Sequence, residues 1–409
     1  MFKITYSNNL KWEVLISWSK NAALPIVAAN FLSDNSVKLD NVPDIKDVNL
    51  LYKIGKESLK KSKDFFDLTS DDAIKIRASI LLIPVWLVKF GKVVFCGSGG
   101  CKIGKRPLDA FDDALIQAGV NVTQDKYKTY EVQRKPQKRI VLQELSVTTT
   151  EALITYLAFL QNVDYDISVH QIAIEPHVIN LIEFLQTMWA NIKLNYDHSL
   201  VIRPTKINIK NSNFKIICDY IQAGTYFGIW AVADESEIFV KWVEHKDLLA
   251  VYKTAERIGI DFELIDNDIV RVNSKHKKAY KAVKFDTRTF PWFPTDLQSI
   301  FGALLTQANW VSKIFETIFE WRFAYLNELT NLGAEVEILN PHQAIIIWPS
   351  KLKWWYVSTT DLRGGGAMVL AGTIAKGTTY ITNEDIILRW YDNIIDNLKN
   401  IWVNIEHII

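Results

Sequence analysis

The chain has 409 residues, of which 49% are hydrophobic, and its 47 basic and 46 acidic residues leave a net charge of +1. This length is enough for about two domains with large cores, at roughly 100–200 residues per domain. The balanced charge gives no indication of a protein that binds nucleic acid or an anionic membrane surface through its overall charge.

The N-terminus, MFKITYSNNLKWEV, lacks the successive basic, apolar and small-residue zones of a signal peptide. The longest apolar run, residues 78–88, is shorter than the ~20 residues that cross a bilayer. Three cysteines are too few for a disulfide framework in so long a chain. We therefore expect a cytoplasmic protein.

Helix-like apolar periods that stop before a short β-prone run recur along the chain. A weak copy lies near residues 48–66, and five stronger copies follow: RPLDAFDDALIQAGVNV, EPHVINLIEFLQTMWANI, HKDLLAVYKTAERIGIDF, RFAYLNELTNLGAEV and LRWYDNIIDNLKNIWVNI. Each copy predicts a helix of about three turns, a cap and a strand. The sequence therefore predicts an α/β protein of six repeated units, arranged as two similar domains of three.

The five stronger copies differ at the residue that ends the helix. Three have glycine, at Gly119, Gly259 and Gly333, and two have tryptophan, at Trp189 and Trp402. Glycine is usual there because the position takes left-handed backbone, which is costly for a residue with a side chain. The chain has 14 tryptophans but only 17 glycines, and glycine normally makes up ~7% of a protein.

Two motifs in the first third of the chain carry candidate chemistry. SKNAALP, residues 19–25, places Lys20 and Asn21 where a helix should begin, which favours anion binding, although a solvated lysine is the common alternative. GSGGCKIGKRPLD, residues 97–109, places Cys101 between glycines and the basic side chains of Lys102, Lys105 and Arg106. Positive charge favours a reactive thiolate, whereas an ordinary cysteine is a small buried hydrophobe.

Two further motifs lie in the last third. Asp296 in FPTDLQ is a candidate proton acceptor, with a plain helix N-cap as the alternative. Arg363 in DLRGGGAMVLAG precedes a glycine-rich helix start, which indicates either an anion site or tight helix packing. The seven histidines show no metal-ligand spacing.

These stretches resemble the enolpyruvyl transferases nearly from end to end, and within that family the enzymes that act on UDP-N-acetylglucosamine. The motifs that carry the resemblance are SKNAALPIVAANFL, LDNVPDIKDV, IRASILL, GGCKIGKRPLD, IEPHVINLIEFL, FPWFPTDLQSIF, ETIFEWRF and DLRGGGAMVLAGTIAKGTTYI. The resemblance implies a two-domain, inside-out α/β barrel of six units. One domain would be discontinuous, residues 1–19 and 218–409, and the other would be residues 20–217.

The resemblance also implies an activity: transfer of the enolpyruvyl group of phosphoenolpyruvate to the 3′-hydroxyl of UDP-N-acetylglucosamine, with release of phosphate, at the first committed step of peptidoglycan synthesis. Cys101 would be the general acid toward phosphoenolpyruvate and the target of fosfomycin, and Asp296 would take the proton of the sugar hydroxyl. No cofactor or metal is implied, and a monomer is expected.

The remaining site residues implied by the resemblance bind the substrates. Lys20, Arg106 and Arg389 would hold the phosphate and carboxylate, with Arg77 and Arg363 nearby, and Asn21 would contact the sugar. The nucleotide-sugar pocket would be formed by Asp47, Pro107, Leu108, Asp109, Ser146, Val147, Ile318 and Phe319.

The chain departs from the family pattern at several positions. Thr148 replaces a glycine, and Tyr220 and Gln222 replace two charged residues. Nine tryptophans stand where the family usually has glycine: Trp12, Trp18, Trp189, Trp292, Trp310, Trp348, Trp354, Trp390 and Trp402. The sequence predicts that some of these are glycine in the living cell, which would follow if UGA codons are read as glycine there.

Two other functions stay open at this point. A shikimate-pathway enolpyruvyl transferase would share the fold and phosphoenolpyruvate, although that enzyme lacks the cysteine loop and the KNAALP start. A catalytically silent relative, acting as a binding protein, would explain the loss of glycines, but the chain retains every charged residue that the chemistry needs.

Overall fold

The computed structural model describes residues 1–61, 65–97, 107–195, 197–209, 212–275, 279–347, 349–391 and 393–408. These residues form two compact units, each with its own hydrophobic core. The first unit comprises Met1–Ser17 and the described residues from Cys218 onward, and the second comprises those from Trp18 to Ile217.

Helices and strands alternate along both units. The α-helices are α1 Lys20–Asn30, α2 Lys46–Lys61, α3 Asp71–Lys75, α4 Leu82–Phe90, α5 Asp109–Gln117, α6 Val147–Leu157, α7 Pro176–Thr187, α8 Tyr220–Val232, α9 Leu249–Ile258, α10 Gln298–Leu305, α11 Ala324–Asn331, α12 Leu362–Ile374, α13 Asp385–Leu388 and α14 Ile394–Asn400. Short 3-10 helices lie at Phe31–Ser33, Arg77–Leu81, His245–Leu248 and Thr295–Leu297.

The strands are β1 Phe2–Thr5, β2 Lys11–Leu15, β3 Lys38–Asp40, β4 Phe66–Leu68, β5 Lys92–Phe95, β6 Val120–Gln124, β7 Lys128–Val132, β8 Arg139–Val141, β9 Ile167–His170, β10 Asn191–Leu194, β11 Ser199–Arg203, β12 Asn213–Lys215, β13 Glu237–Lys241, β14 Asp261–Asp266, β15 Ile269–Asn273, β16 Tyr280–Lys281, β17 Lys284–Thr287, β18 Ala308–Asn309, β19 Val311–Glu316, β20 Glu335–Asn340, β21 Gln343–Ile347, β22 Tyr356–Ser358, β23 Thr378–Thr382 and β24 Asn404–His407. The α/β class and all five stronger helix–strand copies are therefore confirmed, since α5, α7, α9, α11 and α14 are each followed by a strand.

Five four-stranded sheets in the described part of the chain share one topology. Each joins a parallel pair to two further antiparallel strands, in the orders β4-β5-β7-β6, β8-β9-β11-β10, β2-β13-β15-β14, β17-β19-β21-β20 and β22-β23-β1-β24. In the last sheet the N-terminal strand β1 lies between β23 and β24, so the two ends of the chain share a sheet. In the second unit, β3 and β12 form a separate parallel pair.

Three helices of the first unit are buried along almost their whole length. Every residue of α8 and α10 is buried, as is every residue of α12 except its last. A helix that is apolar on all sides belongs in a protein core. Close approach of these helices to their neighbours depends on glycine, because a Cβ at Gly302 in α10 would overlap the Tyr325 hydroxyl of α11.

We predict that Gly302→Ala lowers the free energy of unfolding by about 1–3 kcal/mol, because the buried Tyr325 ring has to move to admit the methyl group. Gly372→Ala is the matched control, since its Cβ would meet its nearest neighbours, Ile4 and Thr379, at an ordinary 3.5 Å. Urea unfolding of both variants is the measurement. Equal losses at the two sites would contradict this packing account.

Candidate functional site

A cluster of ionised groups surrounds Asp296, which lies in the 3-10 helix Thr295–Leu297 just before α10. One carboxylate oxygen accepts a hydrogen bond from Arg322 and the other accepts one from Arg363. The arginine side chains are each 3% exposed and that of Asp296 is 25% exposed. The carboxylate therefore bridges two buried guanidinium groups at the edge of solvent.

These contacts control the ionisation of Asp296. Burial by itself would raise the pKa of the carboxyl group, but Arg363 and then Arg322 lower that pKa well below its usual value. Burial would likewise lower the pKa of Arg363, but Asp296, Tyr391 and Asp219 together raise it above its usual value. Asp296 is consequently a carboxylate at neutral pH, and not the simple helix N-cap that its sequence position also allowed.

The start of α12 fixes Arg363. Asp361 is the N-cap of this helix, and its carboxylate accepts hydrogen bonds from the backbone N–H groups of Arg363 and Gly364, at 2.8 and 3.2 Å. The same oxygen lies 3.8 Å from a guanidinium nitrogen of Arg322. One capping residue therefore orders the helix terminus and also adds negative charge beside the second arginine.

Arg363 also stacks on an aromatic ring. Its guanidinium carbon lies 3.3 Å from the centre of the Trp390 ring, which is buried. Trp390 directly follows Arg389, which ends the short helix α13 and is half-buried. The structure therefore brings Arg363 and the α13 terminus together, as a site using both Arg363 and Arg389 would require.

Glu316 connects Asp296 to the predicted nucleotide-sugar residues. This fully buried side chain, at the end of β19, accepts hydrogen bonds from the backbone N–H groups of Ile318 and Phe319 at 2.9 and 3.2 Å. Its other oxygen accepts a hydrogen bond from the Thr295 hydroxyl at 2.8 Å. Ile318 and Phe319 are therefore held by the same carboxylate that holds the residue before Asp296.

Asp219, the N-cap of α8, is a further acidic group near this cluster. It is buried, and its carboxylate accepts hydrogen bonds from the N–H groups of Ile221 and Gln222. Burial raises the pKa of Asp219 to about 6, although Arg363 acts in the opposite direction. Gln222 itself accepts a hydrogen bond from the backbone of Ser17 through its side-chain oxygen.

The second unit carries a separate group of predicted residues. Lys20 begins α1, whose N-cap is Ser19, and its ammonium group donates to the carboxylate of Asp47 at 2.6 Å. Both side chains are only 9% exposed. Asn21, the next residue of α1, is half-buried. Lys20 therefore lies at the start of a helix, as predicted, and is paired with the predicted pocket residue Asp47.

Ser146 and Val147 begin another helix of the second unit. The Ser146 hydroxyl caps α6 by accepting a hydrogen bond from the backbone N–H of Thr149 at 3.4 Å. Thr148, which replaces the family's glycine, lies in the first turn of α6 and is half-buried.

The predicted residues between Arg77 and Asp109 are either partly to fully exposed or outside the described residues. Arg77 begins a 3-10 helix and is half-buried, Leu108 packs against the core, and Pro107 and Asp109 are exposed. Cys101, Lys102, Lys105 and Arg106 lie outside the described residues.

Sequence reasoning did not assign four residues of the first unit: Asp219, Glu316, Arg322 and Asp361. Glu316 and Arg322 belong to the ETIFEWRF motif, and Asp361 begins DLRGGG. The sequence analysis therefore identified both motifs but gave no role to these three residues. Only the fold brings Arg322 and Arg363 to Asp296, across sequence separations of 26 and 67 residues.

Comparison with known proteins places this geometry in a family. A model of EPSP synthase (3-phosphoshikimate 1-carboxyvinyltransferase) matches residues 4–398. The chain belongs to this family of enolpyruvyl transferases. Its curated relatives include UDP-N-acetylglucosamine 1-carboxyvinyltransferases from a Wolbachia endosymbiont of Brugia malayi, 33% identical over 99% of both chains, and from Halothermothrix orenii, 34% identical over 100% of this chain and 99% of the other.

Solved structures of enolpyruvyl transferases share the fold. The enolpyruvyl transferase NikO from Streptomyces tendae has a TM-score of 0.84 at 18% identity, covering 99% of this chain and 98% of the other. An EPSP synthase from Acinetobacter baumannii has a TM-score of 0.71 at 12% identity, covering 99% of both chains.

The described residues contain no group of three or more histidine, cysteine, aspartate or glutamate side chains placed to hold a metal ion. No helix in the same part of the chain is both long and apolar enough to cross a membrane.

We predict that Asp296→Asn lowers the free energy of unfolding by about 3 kcal/mol at pH 7, because two buried arginines lose their shared carboxylate. Since the folded-state pKa of Asp296 lies below its unfolded value, the stabilisation is present above pH ~4 and is lost as the pH falls through the folded-state pKa. Denaturant titrations across this range measure the difference between wild type and variant, which should shrink on acidification.

The matched control is Asp286→Asn in the same unit, since Asp286 forms a more exposed ion pair with Arg288 at 3.3 Å. Its replacement should change the free energy of unfolding by less than about 1 kcal/mol. A loss for Asp296→Asn that stays constant with pH would contradict the ionised bridge.

Proposed function

We propose that this enolpyruvyl transferase uses phosphoenolpyruvate as donor and the 3′-hydroxyl of UDP-N-acetylglucosamine as acceptor, and so catalyses the first committed step of peptidoglycan synthesis. The observation that carries the choice of acceptor is identity of about one third, along the whole chain, to relatives named for that sugar nucleotide. Identity to the solved EPSP synthases is 12%.

In the proposed reaction, the Cys101 thiol protonates the methylene carbon of phosphoenolpyruvate and the sugar hydroxyl adds to the adjacent cationic carbon. Asp296 receives the hydroxyl proton. Return of a methyl proton to the Cys101 thiolate and departure of phosphate then restore the double bond and leave the enolpyruvyl ether. General acid–base groups of this kind contribute ~10²–10⁴-fold each to the rate.

The ion pairs keep Asp296 ionised, so that it can accept a hydrogen bond from the sugar hydroxyl. Because they lower its pKa, they also make it a weak base. It takes the proton once the hydroxyl oxygen bonds to the cationic carbon and becomes strongly acidic. We therefore propose that proton transfer to Asp296 accompanies formation of the C–O bond.

The charged residues match the substrates in sign. We assign Lys20, Arg106 and Arg389 to the phosphate and carboxylate of phosphoenolpyruvate, with Arg77 and Arg363 as additional cations. Asn21 is assigned to the sugar. The remaining residues of the nucleotide-sugar pocket are Asp47, Pro107, Leu108, Asp109, Ser146, Val147, Ile318 and Phe319.

The domain organisation is part of the same proposal. The chain would form an inside-out α/β barrel protein with three repeated units in each of two domains, residues 1–19 with 218–409 and residues 20–217. Five four-stranded sheets of one topology, with the β3–β12 pair as the reduced sixth unit, support this organisation. We further propose that the enzyme acts as a monomer in the cytoplasm.

Phosphate release from phosphoenolpyruvate tests the function, with UDP-N-acetylglucosamine and shikimate 3-phosphate as alternative acceptors. We expect release only with UDP-N-acetylglucosamine, because both Cys101 and the KNAALP start are features of enzymes that use it. Release with shikimate 3-phosphate alone would instead support the shikimate-pathway activity. Release with neither, by folded protein, would support a silent relative.

Fosfomycin and the variant Cys101→Asp extend this assay to the general acid. The epoxide should stop the wild-type reaction by alkylating a thiol that nearby positive charge activates. The aspartate variant should still turn over, because it keeps an acid, and should resist the drug because it lacks the nucleophile. Wild-type turnover that is insensitive to fosfomycin would contradict the role of Cys101.

A further inference from the structure

Five tryptophans lie on left-handed backbone. The φ angles are +85° at Trp12, +72° at Trp189, +67° at Trp242, +73° at Trp310 and +74° at Trp402. The chain also has 20 phenylalanines and 15 tyrosines. None of these in the described ranges has a positive φ. This conformation brings Cβ too close to a carbonyl oxygen, which penalises every residue that has a side chain. Since phenylalanine and tyrosine avoid it, aromatic character does not explain why five tryptophans adopt it.

Two of these positions have glycine in the chain's own repeats. Trp189 and Trp402 follow the helix that precedes the outermost antiparallel strand of their sheets, as Gly119, Gly259 and Gly333 do in the other three four-stranded sheets, where φ is +93°, +88° and +96°. The backbone makes the same bonds in both sets. The N–H of Trp402 donates to the carbonyl of Lys399 at 2.9 Å, and that of Gly333 donates to the carbonyl of Thr330 at 2.9 Å.

Trp310 also has glycine counterparts in other sheets, at a different place from the helix ends. It immediately precedes β19, the second strand of its sheet. The residues that immediately precede the second strand in two other sheets are Gly91, before β5, and Gly377, before β23, with φ of +71° and +107°. In the remaining two sheets the residue at this place is Asp166 or Ser236, and neither has a positive φ. Where the backbone at this place is left-handed, the other repeats therefore have glycine.

The indoles at the five positions also differ in burial from the tryptophans of the core. The five are between 40% and 70% exposed. Trp86 in α4 and Trp230 in α8 are at most 1% exposed, on helical backbone, and the Trp86 ring stacks on Phe66 at 4.0 Å between ring centres. Tryptophan therefore has a packing role at Trp86 and Trp230, and at the five positions the backbone conformation favours glycine.

We infer that Trp12, Trp189, Trp242, Trp310 and Trp402 are glycine in the protein as its native cell makes it, and that their codons are UGA, read there as glycine. UGA is read as tryptophan in some genetic codes, so translation of the same gene in such a code would place tryptophan at these five positions. Four of these five belong to the nine tryptophans that the sequence singled out, and Trp242 is new.

The set changes at six positions. Among the nine, Trp18, Trp292, Trp354 and Trp390 are not on left-handed backbone, so nothing in their geometry requires glycine, and Trp348 lies outside the described residues. Trp242, which the sequence did not single out, is added. It follows β13 directly, at a position where Gln171 follows β9 and Asn383 follows β23, both also with positive φ.

Two measurements on native material test this inference. The gene should carry UGA at all five codons and UGG at those for Trp86 and Trp230. Mass spectrometry of peptides from the protein isolated from its own cells should show glycine at the five positions and tryptophan at the other two. UGG at the five codons, or indole in their peptides, would overturn the inference.

Thermal unfolding of recombinant protein tests the physical argument separately. Trp402→Gly should raise Tm by roughly 2–4 °C, and Gly259→Trp should lower it by a similar amount. The second variant isolates backbone conformation, because a Cβ at Gly259 would meet nothing within 4 Å. Trp86→Gly and Trp230→Gly are the controls and should lower Tm. A fall in Tm for Trp402→Gly would overturn the inference, and none of these results depends on enzymatic activity.

Discussion

The carboxylate of Asp296 bridges Arg322 and Arg363, and this ionic bridge joins three segments that are distant in sequence. The segments are the start of α10, the loop after β19 and the first turn of α12. Two buried guanidinium groups would repel each other without the carboxylate, and burying either one alone would be costly. The fold places Asp296 between the two arginines, and the negative charge of Asp296 in turn stabilises the packing of the three segments.

Glu316 extends the same arrangement to the loop that follows β19. It accepts hydrogen bonds from Thr295 and from the backbone of residues 318 and 319, so one carboxylate holds both that loop and the residue before Asp296. In the proposed reaction, this connection would relate the seating of the nucleotide sugar to the position of the proton acceptor. The cap of α12 by Asp361 completes the arrangement from the other side.

The sequence predicted the five stronger helix–strand copies because their signals are local. Apolar periodicity and cap residues lie within one helix, so α5, α7, α9, α11 and α14 could all be predicted. The family resemblance placed residues 1–19 with the C-terminal half, but the pairing of β1 with β23 and β24 could not be predicted, because strands at opposite ends of a chain carry no local sign of their partners. Asp296 and Arg363 were identified through their motifs, but their ion pair is a tertiary contact, as is the pairing of Lys20 with Asp47.

The repeats also make the anomalous tryptophans interpretable. A single tryptophan on left-handed backbone would have no counterpart to be compared with. Trp189 and Trp402 instead occupy a position whose three counterparts in the same chain are glycine. The chain thus supplies its own internal comparison. Helix ends show the preference for glycine most clearly because they recur in every four-stranded unit, whereas each active-site residue occurs once.

Carbon-13 NMR of aspartate carboxyl groups, with the Asp296 signal identified by its absence in Asp296→Asn, tests the ionic bridge most directly. The account predicts that this signal stays at its ionised position from pH 8 down to about 4, while exposed aspartates begin to titrate near their ordinary pKa of ~3.9. An Asp296 signal that titrates with a midpoint at or above about pH 4 would show that the two arginines do not hold the carboxylate ionised, and would contradict the account.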